Sequence, residues 1–350
     1  MFDITNFDFD KEKLEHYIEK LSEPNVLIIG DMGIDEMVYG DTERISREAP
    51  VLILRHANTK IILGQAANAA HNLATISGGR ISAIGLYGDD YYGPMLLDAF
   101  KKANINTEFM VQDASRPTTV KSRISGASFH SVTQQIVRID RLEVSPPSKE
   151  IEDKVIENIE KAVPLHDAVI LSDYNIGFLS DRIIEAAISS AKKHGKIVIV
   201  DAQKDLFRYK GAYALTPNQP DSEKAVGFFI KDKETLANAG ESILKMTDAQ
   251  VLLLTRGGEG MAVFDAKNNT QTNVPVFNKT NVFDVTGAGD TVVASFTLAL
   301  AAGAEPKYAA IIGNIAASIV IRSFGCATTS IEELKQSLNK MNMDNYTIKV

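Results

Sequence analysis

The sequence predicts an α/β protein, a three-layer α/β/α core built on a mostly parallel central sheet, with a small β lid attached. Three observations predict it. Short, solidly apolar runs at 168–171 (Ala-Val-Ile-Leu), 197–200 (Ile-Val-Ile-Val) and 251–254 (Val-Leu-Leu-Leu) have the composition of strands buried on both faces. Stretches of helical period at 151–162, 180–193 and 233–246 alternate with them, the pattern of a parallel sheet covered on both sides. Segments 51–55, 118–124 and 134–140 instead mix polar and apolar residues as strands wet on one face do, and these form the lid.

In chain order, Leu14, Tyr17, Ile18 and Leu21 make one apolar stripe, so a helix is expected over 11–21, ended by Pro24, within a helical extension at 1–24. A buried strand at 26–29 empties into Gly30-Asp31, with Asp35 just beyond. Residues 38–50 are polar and turn-rich and are expected to be loop before the strand at 51–55. The lid is placed at about 36–60 and 116–140. Between its two parts, 64–68 (Gly-Gln-Ala-Ala-Asn) leads into a small-residue helix at 69–76 and a strand at 80–84. After the regular alternation, 214–218 ends at Asn218, and 255–260 turns the 251–254 strand back into a hairpin with 261–264. Helices follow at 291–302, 308–322 and 331–338. The main domain spans 25–340, leaving a tail at 341–350 whose last seven residues either pair with a sheet edge or fray.

Composition narrows the function. The chain has 350 residues, is 45% apolar and carries a net charge of -8 with acids and bases interspersed, which argues against a nucleic-acid partner. Its apolar runs are too short to span a bilayer, and its acidic N-terminus lacks the basic start and apolar run of a secretory signal, so a cytoplasmic location is expected. The single cysteine, Cys326, has no internal partner, in keeping with a reducing compartment. The six histidines show no metal-ligand spacing.

Chemistry shows most plainly at 281–296. There Gly287, Ala288 and Gly289 let backbone amides converge on an anion at the mouth of an apolar helix, and Asp290 adds a carboxylate. The same residues also read as an ordinary turn into a helix, with Asp290 favouring the dipole. The continuation over 291–302 is almost wholly apolar or small, which places the acid at the end of a buried helix where it needs a partner or a task. Amides to hold charge and a carboxylate to take a proton suit phosphoryl transfer to a hydroxyl. Asp31, Asp35, Asp173, Asp201, Asn218 and Thr255 follow apolar strands, where open α/β sheets collect ligands. No Walker A loop and no Gly-x-Gly-x-x-Gly occurs.

This combination resembles the ribokinase-like (PfkB) family of carbohydrate kinases over about 25–339. Segment 284–291 (Asp-Val-Thr-Gly-Ala-Gly-Asp-Thr) matches the family's C-terminal signature, and 64–68 matches its N-terminal glycine motif with one change. Within the family the chain is most similar to the kinase domain of the bacterial bifunctional heptose 7-phosphate kinase and heptose 1-phosphate adenylyltransferase. The matching pieces are 30–35, 39–50, 172–177 (Ser-Asp-Tyr-Asn-Ile-Gly) and 215–218 (Leu-Thr-Pro-Asn). The resemblance implies a ribokinase-like fold and an ATP-dependent kinase acting on a sugar or sugar phosphate, with the second activity left to another polypeptide. Asp290 would be the base, and Gly287, Ala288 and Gly289 the anion hole. Asp35, Gly64, Gln65 and Asn68 would bind the sugar, with Arg138 closing over it from the lid or pairing near Asp140. Asn218, Thr255, Gly257, Gly260 and Asn314 would hold ATP. Asp221, standing where the family's Asn-x-x-Glu motif has glutamate, would act on Mg2+ through water. Arg256 is a further phosphate candidate. Family members respond to monovalent cations such as K+ and associate through the lid, so a homodimer is expected.

Three departures bear on the substrate. Gln65 stands where the heptose kinases carry a second glycine, Ile176 replaces a motif lysine, and 201–203 (Asp-Ala-Gln) replaces Asp-Pro-Lys. Lysine is a natural partner for a sugar phosphate, and Lys204, one residue later, is the candidate replacement. The leading expectation is D-glycero-D-manno-heptose 7-phosphate, phosphorylated at O1. The alternatives are a kinase for another sugar or a nucleoside, and a catalytically inactive sugar-binding protein of the same fold.

Overall fold

The computed structural model describes residues 2–5, 7–128, 131–277, 284–323 and 325–340. The expected tail at 341–350 and positions 281–283 of the glycine-rich segment lie outside the described residues.

Among the described residues nine strands form the central sheet, in the spatial order Asp3–Thr5, Thr270–Val274, Met261–Asp265, Val251–Thr255, Ala214–Leu215, Ile197–Ala202, Ala168–Asp173, Val26–Gly30 and Ile81–Ile84. Only the two pairs made by Met261–Asp265 are antiparallel. Alternation along each strand builds two cores. Val26, Ile28, Ala168 and Ile170 point to the layer holding helices Ala66–Ser77, Ala288–Ala301 and Pro306–Val320. Leu27, Ile29, Val169 and Leu171 point to the layer of Lys149–Ala162, Asp181–Lys193 and Lys233–Thr247. With both faces covered, the ligand-binding surface of the sheet is the crest at its strand ends.

The lid is a four-stranded sheet in the order Leu52–Gln65, Met32–Ile45, Thr119–Ser128, Ser131–Arg141. It corrects the expectation of a loop at 38–50: the first two strands are each 14 residues long, and 38–45 is extended. Met32–Ile45 is paired on both edges, antiparallel to Leu52–Gln65 and parallel to Thr119–Ser128, so ladder bonds hold the turn-prone Gly40-Asp41-Thr42 in a strand. Bulges after Tyr39 and Thr42 absorb the misfit.

The N-terminal stretch is likewise more than the expected helix. Lys11–Glu19 is helical, capped by the Asp10 carboxylate, but Asp3–Thr5 adds an edge strand to the sheet by pairing with Thr270–Val274, a strand the sequence reading lacked. Helix Tyr92–Lys102 was also missed, its start obscured by Gly93-Pro94. No described helix is long and apolar enough to cross a membrane.

Candidate active site

Helix Ala288–Ala301 begins at Gly287, whose φ of 78° lies in the left-handed region. A side chain there would also meet the Asn68 amide at 2.8 Å, so backbone and space both demand glycine. Three residues after Gly287, Asp290 is 6% exposed, and each of its oxygens accepts one hydrogen bond. Asn68 Nδ2 donates to Oδ2 at 2.6 Å, and the Tyr174 hydroxyl donates to Oδ1 at 2.7 Å. Burial raises the Asp290 carboxyl to about 6, against the lowering by Tyr174 and Asn68. The helix Ala66–Ser77 is stitched to the same turn: Thr291 Oγ1 donates to Asn72 Oδ1 at 2.8 Å, and Asn72 Nδ2 donates to the Asn68 carbonyl at 3.0 Å.

The three residues of the expected anion hole differ in their engagement, and Ala288 lines the larger of the cavities described below. The Ala288 N–H is committed to the Val285 carbonyl at 3.2 Å, closing the turn before the helix, whereas Gly289 faces open space.

Two cavities meet at this helix. One, of about 170 Å³, is lined by Asp173, Tyr174, Asp201, Asn218, Asp221 and Asp290 among others, and includes Gln203 but, among the described residues, no lysine or arginine. The other, of about 470 Å³, is mainly apolar, with Met261, Val276, Val292, Ala317 and Ile321 beside Thr255, Gly257, Gly260 and Asn314. Thr255, Gly289 and Val292 line both, so an apolar chamber leads past the helix start to Asp290.

On the other side of Asp290 lies the lid base. Asp35, 6% exposed, sits on strand Met32–Ile45, and a side chain on Gly64 would meet its Oδ1 at 2.9 Å. Arg123 approaches Asp35 Oδ2 at 3.5 Å, and burial raises the Asp35 carboxyl despite that cation. Asn68 Oδ1 and both amide atoms of Gln65 are buried without a protein partner among the described residues. Orphaned amides beside two carboxylates form a surface suited to a polyhydroxylated ligand.

Residues 24–334 match the sequence pattern of the pfkB family carbohydrate kinases. This chain belongs to the pfkB family. As a member it is an ATP-dependent phosphotransferase acting on a sugar. It is 35% identical over 327 residues to the Bifunctional protein HldE of Aliarcobacter butzleri (strain RM4018), covering 92% of this chain and 67% of that protein. To the Bifunctional protein HldE of Desulfatibacillum aliphaticivorans it is 38% identical over 322 residues, covering 92% and 64%. The chain therefore spans about two thirds of the length of these relatives. Its fold is that of Arabidopsis thaliana ribokinase complexed with ribose and ATP (TM-score 0.68, 16% identity, 91% of this chain and 99% of that one). It is likewise that of Escherichia coli phosphofructokinase-2 in complex with fructose-6-phosphate (TM-score 0.70, 17% identity, 91% and 99%).

In this pfkB kinase the sequence-predicted residues divide into two groups. Asp290, Gly287, Gly289, Asn218, Asp221, Thr255, Gly257, Gly260 and Asn314 line one or both cavities, while Asp35, Gly64, Gln65 and Asn68 gather at the lid base. Asn218 also caps helix Gln219–Val226, accepting from the Asp221 N–H at 2.8 Å, and Asp221 pairs with Lys224 at 2.9 Å. Asn314 donates to the Pro275 carbonyl at 2.7 Å. Arg256 donates to Gln219 Oε1 at 3.1 Å and pairs with Glu259. Arg138 makes a two-bond pair with Asp140, at 2.8 and 3.0 Å, and Lys204 is exposed and outside the cavity lining. Cys326 is pushed up to about 12 by burial and by Asp35 and Asp290, which keeps it a thiol.

Sequence reasoning named Tyr174 only within a motif and passed over Lys121. The tyrosine was accessible in principle, since it follows an apolar strand within Ser-Asp-Tyr. Lys121 was not, because its place depends on lid register.

Proposed function

We propose that this kinase transfers the γ-phosphoryl group of ATP to O1 of D-glycero-D-manno-heptose 7-phosphate. The observation that carries this reading is the position of Asp290, a buried carboxylate held by Asn68 and Tyr174 between the orphaned amides of the lid base and the chamber lined by Thr255 and Gly257. A sugar held by Asp35, Asn68 and Gln65 would present its hydroxyl to Asp290, which takes the proton as the oxygen attacks phosphorus. Gly287 and Gly289 line the same cavity as Asp290, and their N–H groups would hold the charge that builds on the transferred group. The lid covers the sugar side, and closing it would keep water from the reaction.

The donor set also fits Mg2+. Asp201, Asn218 and Asp221 offer oxygens to the 170 Å³ cavity, and burial together with Asp290 and Asp221 raises the Asp201 carboxyl to about 7, a surplus of negative charge that a cation relieves. Among the described residues no three acidic, histidine or cysteine side chains converge on one point, so phosphates and water would complete the ion's shell. When bound, the ion supplies charge neutralisation at the phosphates. Exposed Ile136, Val137 and Ile139 on strand Ser131–Arg141 support pairing of two copies through the lid.

A second reading, a kinase for an unphosphorylated sugar or a nucleoside, is favoured by an acidic cavity that no basic side chain lines among the described residues. The test is sugar-dependent ADP release over a panel of sugars and sugar phosphates, with Asp290→Asn as the matched control. Release with heptose 7-phosphate, reduced roughly 10²- to 10⁴-fold in Asp290→Asn, is expected. Sugar-independent turnover, or an Asp290→Asn variant as fast as the parent, would defeat the proposal.

A further inference from the structure

We infer that Lys121, on the lid, is the residue that selects a phosphate-bearing sugar: its ammonium binds a phosphate monoester carried by the substrate. The inference rests on the reading of Asp290 as the centre of a sugar kinase.

Register places Lys121 in the site. Strands Met32–Ile45 and Thr119–Ser128 run parallel, with Asp35 opposite Lys121 and Met37 opposite Arg123, so the lysine shares a lid face with the sugar-side carboxylate. Its Nζ lies 5.3 Å from the centre of the Tyr174 ring, the same tyrosine whose hydroxyl donates to Asp290. The side chain therefore reaches from the lid to the crest of the sheet.

The neighbouring cations are engaged. Arg123 approaches Asp35, Arg138 is held by Asp140, and Arg141 donates to Ser122. Among the described residues Lys121 alone of this group has neither an ion pair nor a hydrogen bond, its only short-range partner being the face of Tyr174. Burial lowers its pKa, opposed by the charges of Asp35 and Asp140. A half-buried ammonium without a bound anion is a costly arrangement, and a dianionic phosphate is the ligand chemistry that repairs it.

Lys121 also answers the missing lysines. Ile176 and Gln203 remove cations from the core loops, Lys204 points to solvent, and the cavity beneath is lined by four aspartates. A phosphate on the sugar would be repelled there and attracted to the lid, so the lid supplies the charge that the core loops lack.

The experiment is calorimetric titration without nucleotide, using heptose 7-phosphate and the unphosphorylated heptose as probes, on the parent, Lys121→Met, Lys121→Arg and Lys204→Met. Steady-state kinetics on both sugars runs alongside. Lys121→Met is expected to weaken binding of the sugar phosphate roughly 10- to 100-fold, with little effect on the unphosphorylated sugar. Lys121→Arg should recover part of the loss, and Lys204→Met should match the parent. Unchanged affinity in Lys121→Met, or loss in Lys204→Met instead, overturns the assignment. So does a fall confined to kcat and equal for both sugars, which would place the ammonium on the phosphoryl group in transit. Asp290→Asn separates the two levels: if it abolishes turnover while Lys121→Met binds sugar phosphate normally, the kinase site stands and only the role of Lys121 falls.

Discussion

Asp290 must be ionised to accept a proton, yet it sits where burial favours the neutral acid. The two hydrogen bonds settle the compromise, leaving it at about 6, so that it is charged near neutrality and still basic enough to act. The kcat/KM profile should therefore rise with pH through about 6 and level off above it. The Tyr174 hydroxyl lowers that value by donating to Oδ1, so Tyr174→Phe should move the acid limb to higher pH. Profiles of the two proteins, measured side by side, check this; a limb that stays put or moves lower contradicts it. A residue that merely supported folding would change amplitude without moving the limb.

At the scale of elements, the joint between lid strand Leu52–Gln65 and helix Ala66–Ser77 is a point of strain. Gln65 adopts φ 56° and ψ -134°, a conformation nearly reserved for glycine, and buries both amide atoms without a partner among the described residues. Gln65→Gly removes strain and two orphaned atoms but adds chain entropy to the unfolded state. A net gain of about 1 kcal/mol is expected from these opposing contributions. Denaturant midpoints would show it, and an unchanged or lowered midpoint would mean that the Gln65 side chain stabilises the joint. The strain is tolerated because Met32 pairs with Gln65 in the lid while Ala66 N–H bonds the Asp31 carbonyl, fixing the chain on both sides.

At the scale of the whole molecule, the crest concentrates carboxylates. Burial, then Asp173, raises Asp31 to about 7; Asp201 reaches about 7 and Asp290 about 6. Each keeps its proton to higher pH in the folded chain than in the unfolded chain, whose carboxyls titrate near 4. Their contribution to stability is thus complete below about pH 4 and is lost as pH rises through 6 to 7. The ligand-free protein, without divalent cation, should melt at lower temperature at pH 8 than at pH 5. Scanning calorimetry across that range checks it, and a melting temperature that rises would contradict the sign. The same crowding of negative charge is what prepares the crest for cation-bound phosphates.

The residues themselves determined much of this protein. Apolar runs such as 168–171 and 197–200 can only be satisfied by burial on both faces, so the layered α/β architecture was legible without coordinates. The glycines around Asp290 announced the helix mouth through local backbone needs. Tertiary structure decided what depends on contacts between distant segments. Pairing on both edges turned 38–45 from loop to strand, a turn closed by Val285 withdrew the Ala288 amide, and parallel register brought Lys121 beside Asp35 and over Tyr174. The physical reason is one of range: burial and backbone preference are written residue by residue, whereas register and hydrogen-bond partnership exist only between strands that the chain has already brought together.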